Sequence, residues 1–410
     1  MKLNAVVAGV GMTRFGKHLE TGLKALGGEA VQAALKDAGV EAGQLEAAFV
    51  GNAAAGLVTG QECIRGQVVL RGVGIGKIPV INVENACASA STAFNQAAAL
   101  VTAGIYDVVL ALGVEKLYHE DKQKSFAAFS GAVDVEALEE IKKRLAEGAR
   151  QSGATAAAEG SGTKRSMFMD IYASSARAHM KRYGTTVQQL ARVSSKNSFH
   201  GSLNPRAQFR EHLTIEDVLA APMIAEPLTR PMCSPIGDGA AAAVVVSERK
   251  ARELGIEAPV RVLSSVLHSG WDRQANEGGT VELCSQEAYS EAGVGPEDID
   301  VLECHDASAP AEISAYESLG LCPPGEGGPL VESGATTLGG RLPVNTSGGL
   351  LRKGHPVGAT GIAQLVELTE QLQGRSGDRQ VEGAKVALAQ NGGGSIGSDA
   401  AAMCVTILTR

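Results

Sequence analysis

The sequence predicts an α/β protein, and two observations point to that class. Short runs rich in β-branched residues alternate with alanine-rich helical stretches along most of the 410 residues, a pattern typical of α/β folds. Glycine is abundant at 51 residues, whereas aromatic residues make up only 4% of the chain. That composition favours a core of small aliphatic side chains with closely packed backbones and tight turns.

The predicted strands are short, and two of them share a local pattern. In chain order they lie at 5–10, 47–50, 80–83, 107–112, 241–246, 260–266, 301–303, 385–389 and 403–408. A helix, an Ala-Gly-Val turn and a strand that ends at Val50 recur in the segment that ends at Glu303. This echo indicates either an internal duplication or a common way of ending a helix.

The stretch 117–232 interrupts the alternation of strands and helices. Residues 134–150 are strongly charged with a helical period, which predicts an exposed amphipathic helix. A second helix is predicted at 167–183. We interpret the whole stretch as an insertion of helices and loops over the sheet, and insertions of this kind commonly carry substrate or oligomer contacts.

Charge, cysteine usage and hydropathy exclude several classes of protein. The net charge is −8, and no Lys/Arg-rich stripe suggests a nucleic-acid partner. The seven cysteines form no Cys-x-x-Cys pair, which favours a reducing compartment and leaves no evident ligand set for a metal. No apolar run approaches the length of a membrane span. The sequence therefore predicts a metal-free cytoplasmic protein without nucleic-acid or membrane partners.

Cys87 is the first candidate for a chemical role. It follows the predicted strand 80–83 and lies in the run NACASAS, which leads into an alanine-rich helix. Near a helix N-terminus the macrodipole and free N–H groups favour a thiolate, so we expect Cys87 to be a nucleophile. The alternative is a buried structural cysteine, which is common in core helices.

Two histidines provide candidate partners for Cys87. His355 lies in the glycine-rich segment NTSGGLLRKGHPVGATG, and His305 directly follows the predicted strand 301–303. Strand ends facing a crevice are where α/β folds place functional groups. One cysteine and two histidines supply a nucleophile, a base and a donor to a developing oxyanion, which suits thioester chemistry.

A third glycine-rich element follows the predicted strand 385–389. It reads QNGGGS and contains Gly392 and Gly393. Glycines present backbone N–H groups without side-chain obstruction, which suits an oxyanion hole. A plain turn is the alternative for this element taken alone.

Together these motifs resemble the thiolase superfamily from one end of the chain to the other. VAGVGMTRFG is similar to the family's first strand, NACASAS to its nucleophile motif and NTSGGLLRKGHPVGATG to its Gly-His-Pro motif. The resemblance implies the thiolase fold, with duplicated βαβαβ halves in a five-layer αβαβα sandwich and an inserted loop domain. The halves are expected at 1–116 with 233–262 and at 263–410, and the loop domain at 117–232.

The resemblance also implies roles for individual residues. Cys87 would take the acyl group, His355 would activate it, and His355 with His305 would hold the enolate oxygen. The oxyanion and substrate contacts would come from Gly392, with Gly393 and Asn345 beside it. Coenzyme A would be a co-substrate, with no permanently bound cofactor.

Two departures from the common thiolase pattern concern proton transfer. Gln390 occupies the position of the second catalytic cysteine, and the Asn-Glu-Ala-Phe element reads His305-Asp306-Ala307-Ser308. The His-Asp form resembles the sterol-carrier-protein and archaeal branch, in which some members have a cysteine where this chain has Ala307. We expect His305 or His355 to protonate the enolate, because Cys304 should point to the opposite side of its strand.

Substrate and partners follow from the branch. The resemblance implies cleavage of a 3-oxoacyl-CoA or the reverse Claisen condensation, and the chain is similar to thiolases that cleave benzoylsuccinyl-CoA in anaerobic toluene breakdown. A homodimer is implied, as is a small partner with a zinc ribbon and an OB fold. Three alternatives stay open: an archaeal-type acetoacetyl-CoA thiolase, a ketoacyl synthase-like condensing enzyme, and a non-catalytic lipid-binding relative.

Overall fold

The strands and helices alternate along the chain as the sequence predicts. The computed structural model describes residues 3–152, 154, 165–274, 277–397 and 399–410. The strands are β1 (Val6–Met12), β2 (Ala47–Gly51), β3 (Val80–Val83), β4 (Val108–Glu115), β5 (Met223–Ala225), β6 (Leu228–Thr229), β7 (Gly239–Val246), β8 (Val260–Ser269), β9 (Val301–Glu303), β10 (Val386–Gly393) and β11 (Ala402–Thr409). The helices are α1 (Leu23–Ala38), α2 (Ala55–Thr59), α3 (Arg65–Arg71), α4 (Ser89–Thr102), α5 (Lys122–Ser130), α6 (Leu138–Gln151), α7 (Met167–Tyr183), α8 (Val187–Ser202), α9 (Ile215–Ala220), α10 (Glu248–Glu253), α11 (Thr280–Ala292), α12 (Ala309–Ser318), α13 (Gly327–Glu332), α14 (Gly349–Arg352) and α15 (Thr360–Leu372).

The main sheet consists of two halves in which the four strands nearest the centre have the same arrangement, and β3 is a fifth strand at the edge of the first half. The strand order is β3-β2-β4-β7-β1-β8-β11-β10-β9. β1 and β8 meet antiparallel at the centre, and each pairs outward with an antiparallel strand from the end of its own half, β7 or β11. The echo noted in the sequence falls on equivalent strands, β2 and β9. The duplication is therefore real, and the predicted thiolase fold is confirmed.

Helices α4 and α15 form the central layer between the two halves of the sheet. Their apolar side chains share one buried cluster with the inner faces of both halves. α4 is rich in small residues such as Ala90, Ala93 and Ala97, all fully buried, which lets backbones approach closely. α1 and α3 cover the outer face of the first half, and α11 and α12 cover that of the second. The result is the five-layer order helix, sheet, helix, sheet, helix.

The inserted segment leaves the sheet after β4 and returns to it at β7. It contains α5 to α9 and the small β5–β6 hairpin. α6 matches the predicted amphipathic helix, because Leu138, Ile141 and Leu145 are partly buried and Ala149 is buried, whereas acidic and basic side chains occupy many of the other positions. The boundaries assigned above to the two halves and the insertion stay predictions. Among the residues that the structure describes, no helix is both long and apolar enough to cross a membrane.

One strand is longer than its sequence predicts. β10 continues through Gly392 and Gly393, which the sequence predicts to follow the end of the strand. The ladder with β11 explains the difference, because Gly392 pairs with Met403 and Gly393 with Ala402. Strand pairing thus overrides the low strand propensity of glycine.

Candidate active site

Cys87 lies on a strained turn between β3 and α4. Residues 86–88 form a 3₁₀ turn, and Ala86 adopts a left-handed conformation with φ of 48°, which costs a non-glycine residue energy. Gly393 packs against this turn so closely that a Cβ there would lie 2.0 Å from the carbonyl oxygen of Asn85. The turn leaves Cys87 half-buried on the wall of a large cavity.

The surroundings of Cys87 oppose the thiolate that a helix N-terminus favours. Burial, and then the negative charge of Glu115, raise its pKa to about 12. Its own backbone N–H and that of Gly394 lower the pKa, but by less than burial and Glu115 raise it. Desolvation therefore outweighs the helix N-terminus. Cys87 is thus a neutral thiol, and it would have to lose its proton in order to act as a nucleophile.

His355 is placed to take that proton. Its Nδ1 lies 2.8 Å from Oγ1 of Thr360, whose hydroxyl donates to the carbonyl of Pro356 at 3.1 Å. Because the threonine proton is already used, Nδ1 of His355 carries the ring proton and donates it, which leaves Nε2 as an acceptor. Burial, and then the nearby His305 and Lys353, hold the pKa of His355 well below its usual value, so the ring is neutral.

His305 has the opposite arrangement of donors and acceptors. The amide nitrogen of Asn391 donates to Nδ1 of His305 at 2.8 Å, and the amide oxygen of Asn391 accepts from Ser91 at 2.7 Å. An accepting Nδ1 leaves the ring proton on Nε2. Burial lowers the pKa of His305 to about 4. His305 is therefore a neutral donor, and His355 is a neutral base.

The structure brings Cys87, His305 and His355 together. The sulfur and one ring nitrogen of each histidine all lie within 4.8 Å of one another. The two rings stand edge to face, with centroids 5.1 Å apart and an interplanar angle of 85°. Such spacing would also suit a soft metal ion, so the absence of a functional metal stays a prediction. The chemistry available to these groups is nucleophilic attack with base assistance and hydrogen bonding to an oxyanion.

The other predicted site residues are not all at the cavity. Gly392 lines it, and so does Gly394, whose N–H bonds to Cys87. Gly393 instead packs against the turn that carries the nucleophile. Asn345 is fully buried, and its amide donates to Glu312 at 2.6 Å and contacts the sulfur of Cys304 at 3.4 Å. It lies behind the site, within a polar network.

Neither Gln390, which occupies the position of the missing cysteine, nor Cys304 points a free group at the three residues. Gln390 lines the cavity, but its oxygen accepts from the backbone N–H of His305 at 2.9 Å and its nitrogen contacts the sulfur of Met403. Cys304 is fully buried in the cluster on the outer face of the second half. Burial, and then Glu312, raise its pKa well above the usual value.

Two buried carboxylates tie the segments that carry the histidines. Asp306 accepts from the backbone N–H of Leu350 at 2.7 Å, at the start of the short helix before His355. Glu303 accepts from the Ser347 hydroxyl at 2.6 Å and pairs with Lys353 at 3.2 Å. Glu303 is the last residue of β9, and Asp306 follows it by three positions, directly after His305. They therefore fix the loop that carries His355 relative to His305.

The cavity around these residues has a volume of about 1010 Å³. Apolar and aromatic side chains from the insertion form much of its wall, among them Phe126, Phe129, Phe168 and Tyr172. Exposed cations also line it, namely Lys17, Lys122 and Arg230. Sequence reasoning missed all of these residues. The only available signal was the interrupted alternation at 117–232, which marked the region without distinguishing its cavity-lining face.

A cysteine beside two neutral histidines on a duplicated α/β scaffold is an arrangement that suits enzymes that transfer acyl groups through cysteine. Comparison with known families agrees. Residues 5–249 match the thiolase N-terminal domain, and residues 277–409 match the thiolase C-terminal domain-like model. The chain belongs to the thiolase family and is an acyltransferase of the thiolase type.

Similar proteins come from the branch that the sequence indicated. An acetyl-CoA acetyltransferase of Methanothermobacter thermautotrophicus is 40% identical over 403 residues, which are 97% of this chain and 98% of the relative. Benzoylsuccinyl-CoA thiolase subunit BbsB of Thauera aromatica is 36% identical, over 92% of this chain and 91% of the relative. Sterol carrier protein 2 of Oryctolagus cuniculus is 35% identical, over 94% and 69% respectively.

Solved structures share the fold. The Ltp2-ChsH2(DUF35) aldolase superposes with a TM-score of 0.76 at 24% identity, covering 98% of this chain and 97% of that chain. The Acat5 thiolase of Ascaris suum, solved in complex with coenzyme A, superposes with a TM-score of 0.68 at 17% identity, covering 99% and 100%. Identities this low establish the fold alone.

Proposed function

We propose that the protein cleaves a 3-oxoacyl-CoA with coenzyme A, or runs the reverse Claisen condensation, through an acyl group carried on Cys87. This proposal is based on one observation: the sulfur of a neutral thiol and one nitrogen of each of two neutral imidazoles lie within 4.8 Å of one another. The two histidines differ in which ring nitrogen carries the proton. That difference suits a reaction that needs a base and an oxyanion donor at once.

In the first step the sulfur of Cys87 attacks the 3-oxo carbon, and Nε2 of His355 takes the thiol proton. The tetrahedral oxyanion collapses, and the bond between C2 and C3 breaks. The acyl group stays on Cys87, and the shorter CoA thioester leaves as an enolate. Nε2–H of His305 and the protonated His355 hold the enolate oxygen, because both are donors at that moment.

The proton on His355 then passes to C2 of the enolate, which completes the departing acyl-CoA. His355 is neutral again and takes the thiol proton of incoming coenzyme A. The CoA sulfur attacks the acyl carbon, and the proton returns to the sulfur of Cys87 as it leaves. This cycle balances with one cysteine and needs no proton carrier at Gln390 or Ala307.

Mass spectrometry of the protein incubated with a 3-oxoacyl-CoA tests this proposal. We expect an acyl adduct on the peptide that contains Cys87, lost in Cys87→Ala. Cys233→Ala is the matched control, because Cys233 lines the same cavity and should leave the adduct in place. An adduct that persists in Cys87→Ala would refute the assignment. Loss of turnover in Cys304→Ala with acylation intact would refute the role of the histidines in proton transfer.

We propose benzoylsuccinyl-CoA, cleaved to benzoyl-CoA and succinyl-CoA, as a second and narrower candidate for the substrate. Two observations favour it: the similarity to the Thauera aromatica subunit over 92% of this chain, and the aromatic side chains on the cavity wall. Acetoacetyl-CoA is the competing substrate, favoured by the archaeal relative. Steady-state thiolysis of both compounds separates these candidates, since a small acyl group gains little from an aromatic wall.

We infer that the protein works as a homodimer and with a small zinc-ribbon and OB-fold partner. β3 is the edge strand of the first half, and Ile81 on it is 39% exposed, which suits pairing with another chain. The two-component aldolase with a similar fold supports the small partner. Light scattering of the protein alone measures its oligomeric state, and a dimer that persists on dilution supports the inferred homodimer.

A further inference from the structure

Arg352 is a buried cation on the wall of the active-site cavity. It is the last residue of α14, three positions before His355, and only 6% of its surface is exposed. Its stem packs so closely on Gly201 that a Cβ added to that glycine would lie 2.8 Å from Cβ of Arg352. Its guanidinium lies over the ring of Phe209, 5.3 Å from the centroid.

The guanidinium has few partners for a buried charge. Nη2 donates to the backbone carbonyl of Glu211 at 2.8 Å, whereas Nε is buried without a hydrogen-bond partner. Across the described ranges, no carboxylate forms an ion pair with Arg352. The adjacent Lys353, by contrast, pairs with Glu303 at 3.2 Å. Burial lowers the pKa of Arg352, and the negative charge of Glu211, too far away for an ion pair, raises it by less.

A buried charge with no carboxylate at ion-pair distance is costly unless a ligand supplies a closer counter-ion. Planar guanidinium groups match carboxylates through paired N–H donors. The phosphates of coenzyme A stay solvated, so they suit the exposed cations of the same cavity, such as Lys17 and Lys122. A buried arginine instead suits an anionic group that enters the cavity with the acyl chain.

We propose that Arg352 binds a carboxylate on the acyl part of the substrate, so that the protein selects 3-oxoacyl-CoA thioesters of dicarboxylic acids. The reaction that such substrates would undergo rests on the proposed function, whereas the binding of their carboxylate by Arg352 does not depend on it. Arg352 is then a specificity-determining residue, and it takes no part in proton transfer.

Calorimetric titration with two six-carbon ligands, adipyl-CoA and hexanoyl-CoA, tests the proposal. The two ligands differ only in the terminal carboxylate. Every protein compared carries Cys87→Ala, because Cys87 would otherwise take the acyl group from either thioester, and the wild-type protein in this comparison is the one with no further substitution. We expect the wild-type protein to bind adipyl-CoA roughly 10- to 100-fold more tightly, as a charge-assisted pair predicts. Arg352→Met keeps the packed stem and should abolish the difference, and Arg352→Lys should restore part of it. Lys122→Met, which removes an exposed cation of the same cavity, should weaken both ligands alike.

Equal affinities for the two ligands in the wild-type protein would overturn the proposal. So would an equal loss of both in Arg352→Met, because that result assigns the guanidinium to a CoA phosphate or to structure alone. The outcome is separable from the proposed function. If adipyl-CoA is preferred through Arg352 and no acyl adduct forms on Cys87, the acyl-transfer proposal fails and the carboxylate site stands.

Discussion

Alkylation of Cys87 in the absence of substrate should be slow near neutral pH and should accelerate steadily as the pH rises. The reason is burial beside Glu115, which raises the pKa of the thiol from 9.0 to about 12. Iodoacetamide reacts with the thiolate by displacement of iodide, and no oxyanion develops in that reaction for the histidines to stabilise. Its rate therefore follows the small fraction of thiolate present at equilibrium.

The size of the effect follows from that shift. Three pH units correspond to roughly 1000-fold less thiolate at any pH below about 9. The more basic thiolate is a better nucleophile, and a Brønsted slope of about 0.4–0.5 regains roughly 15- to 30-fold of that loss. We therefore expect Cys87 to react roughly 30- to 60-fold more slowly than an ordinary thiol, with a rate that rises about tenfold for each pH unit.

The assay is time-resolved alkylation between about pH 6 and pH 10, read by mass spectrometry of the peptide that contains Cys87. Cys63 is exposed and serves as an internal control in the same samples. A plateau of the Cys87 rate between about pH 6 and pH 8, at or above the rate of Cys63, would refute the reasoning. That result would mean that Cys87 and His355 form a thiolate–imidazolium pair before the substrate arrives.

Three further predictions concern stability and positioning. Ala86→Gly should relieve the left-handed strain and raise the free energy of unfolding by about 1 kcal/mol, measured by urea denaturation; no gain would mean that the turn is unstrained. Asp306→Ala should lower kcat by a larger factor than it changes KM, because the substitution frees the loop that carries His355. Asp306→Asn should recover part of the activity. A change in KM alone would contradict a positioning role for Asp306. The pKa of His305 is lowered from 6.5 to about 4 in the folded protein, so the unfolded chain takes up a proton at a higher pH than the folded protein does. The contribution of His305 to the free energy of unfolding should be complete above pH 6.5 and should fall by at most about 3.4 kcal/mol between pH 6.5 and about 4. His305→Gln, compared by acid titration, should flatten that decline.

The candidate catalytic residues could be predicted from the sequence because the motifs that contain them are local. Cys87 and His355 were each identified from a few neighbouring residues, and so was His305 at the end of its strand. Small residues and glycines around them leave few local conformations, and such signals are readable along one chain. The duplicated α/β fold was likewise predictable, because alternating apolar runs determine which faces of strands and helices are buried.

Only the tertiary structure decided the electrostatics and the borders of the site. The helix N-terminus next to Cys87 favoured a thiolate, but burial beside Glu115, which is 28 positions away in the chain, reversed that preference. The placement of Asn345 behind the cavity and the unpaired charge of Arg352 were equally invisible in the sequence. A pKa depends on how much water remains around a group and on which charges lie within a few ångströms, and both are set when distant segments pack together.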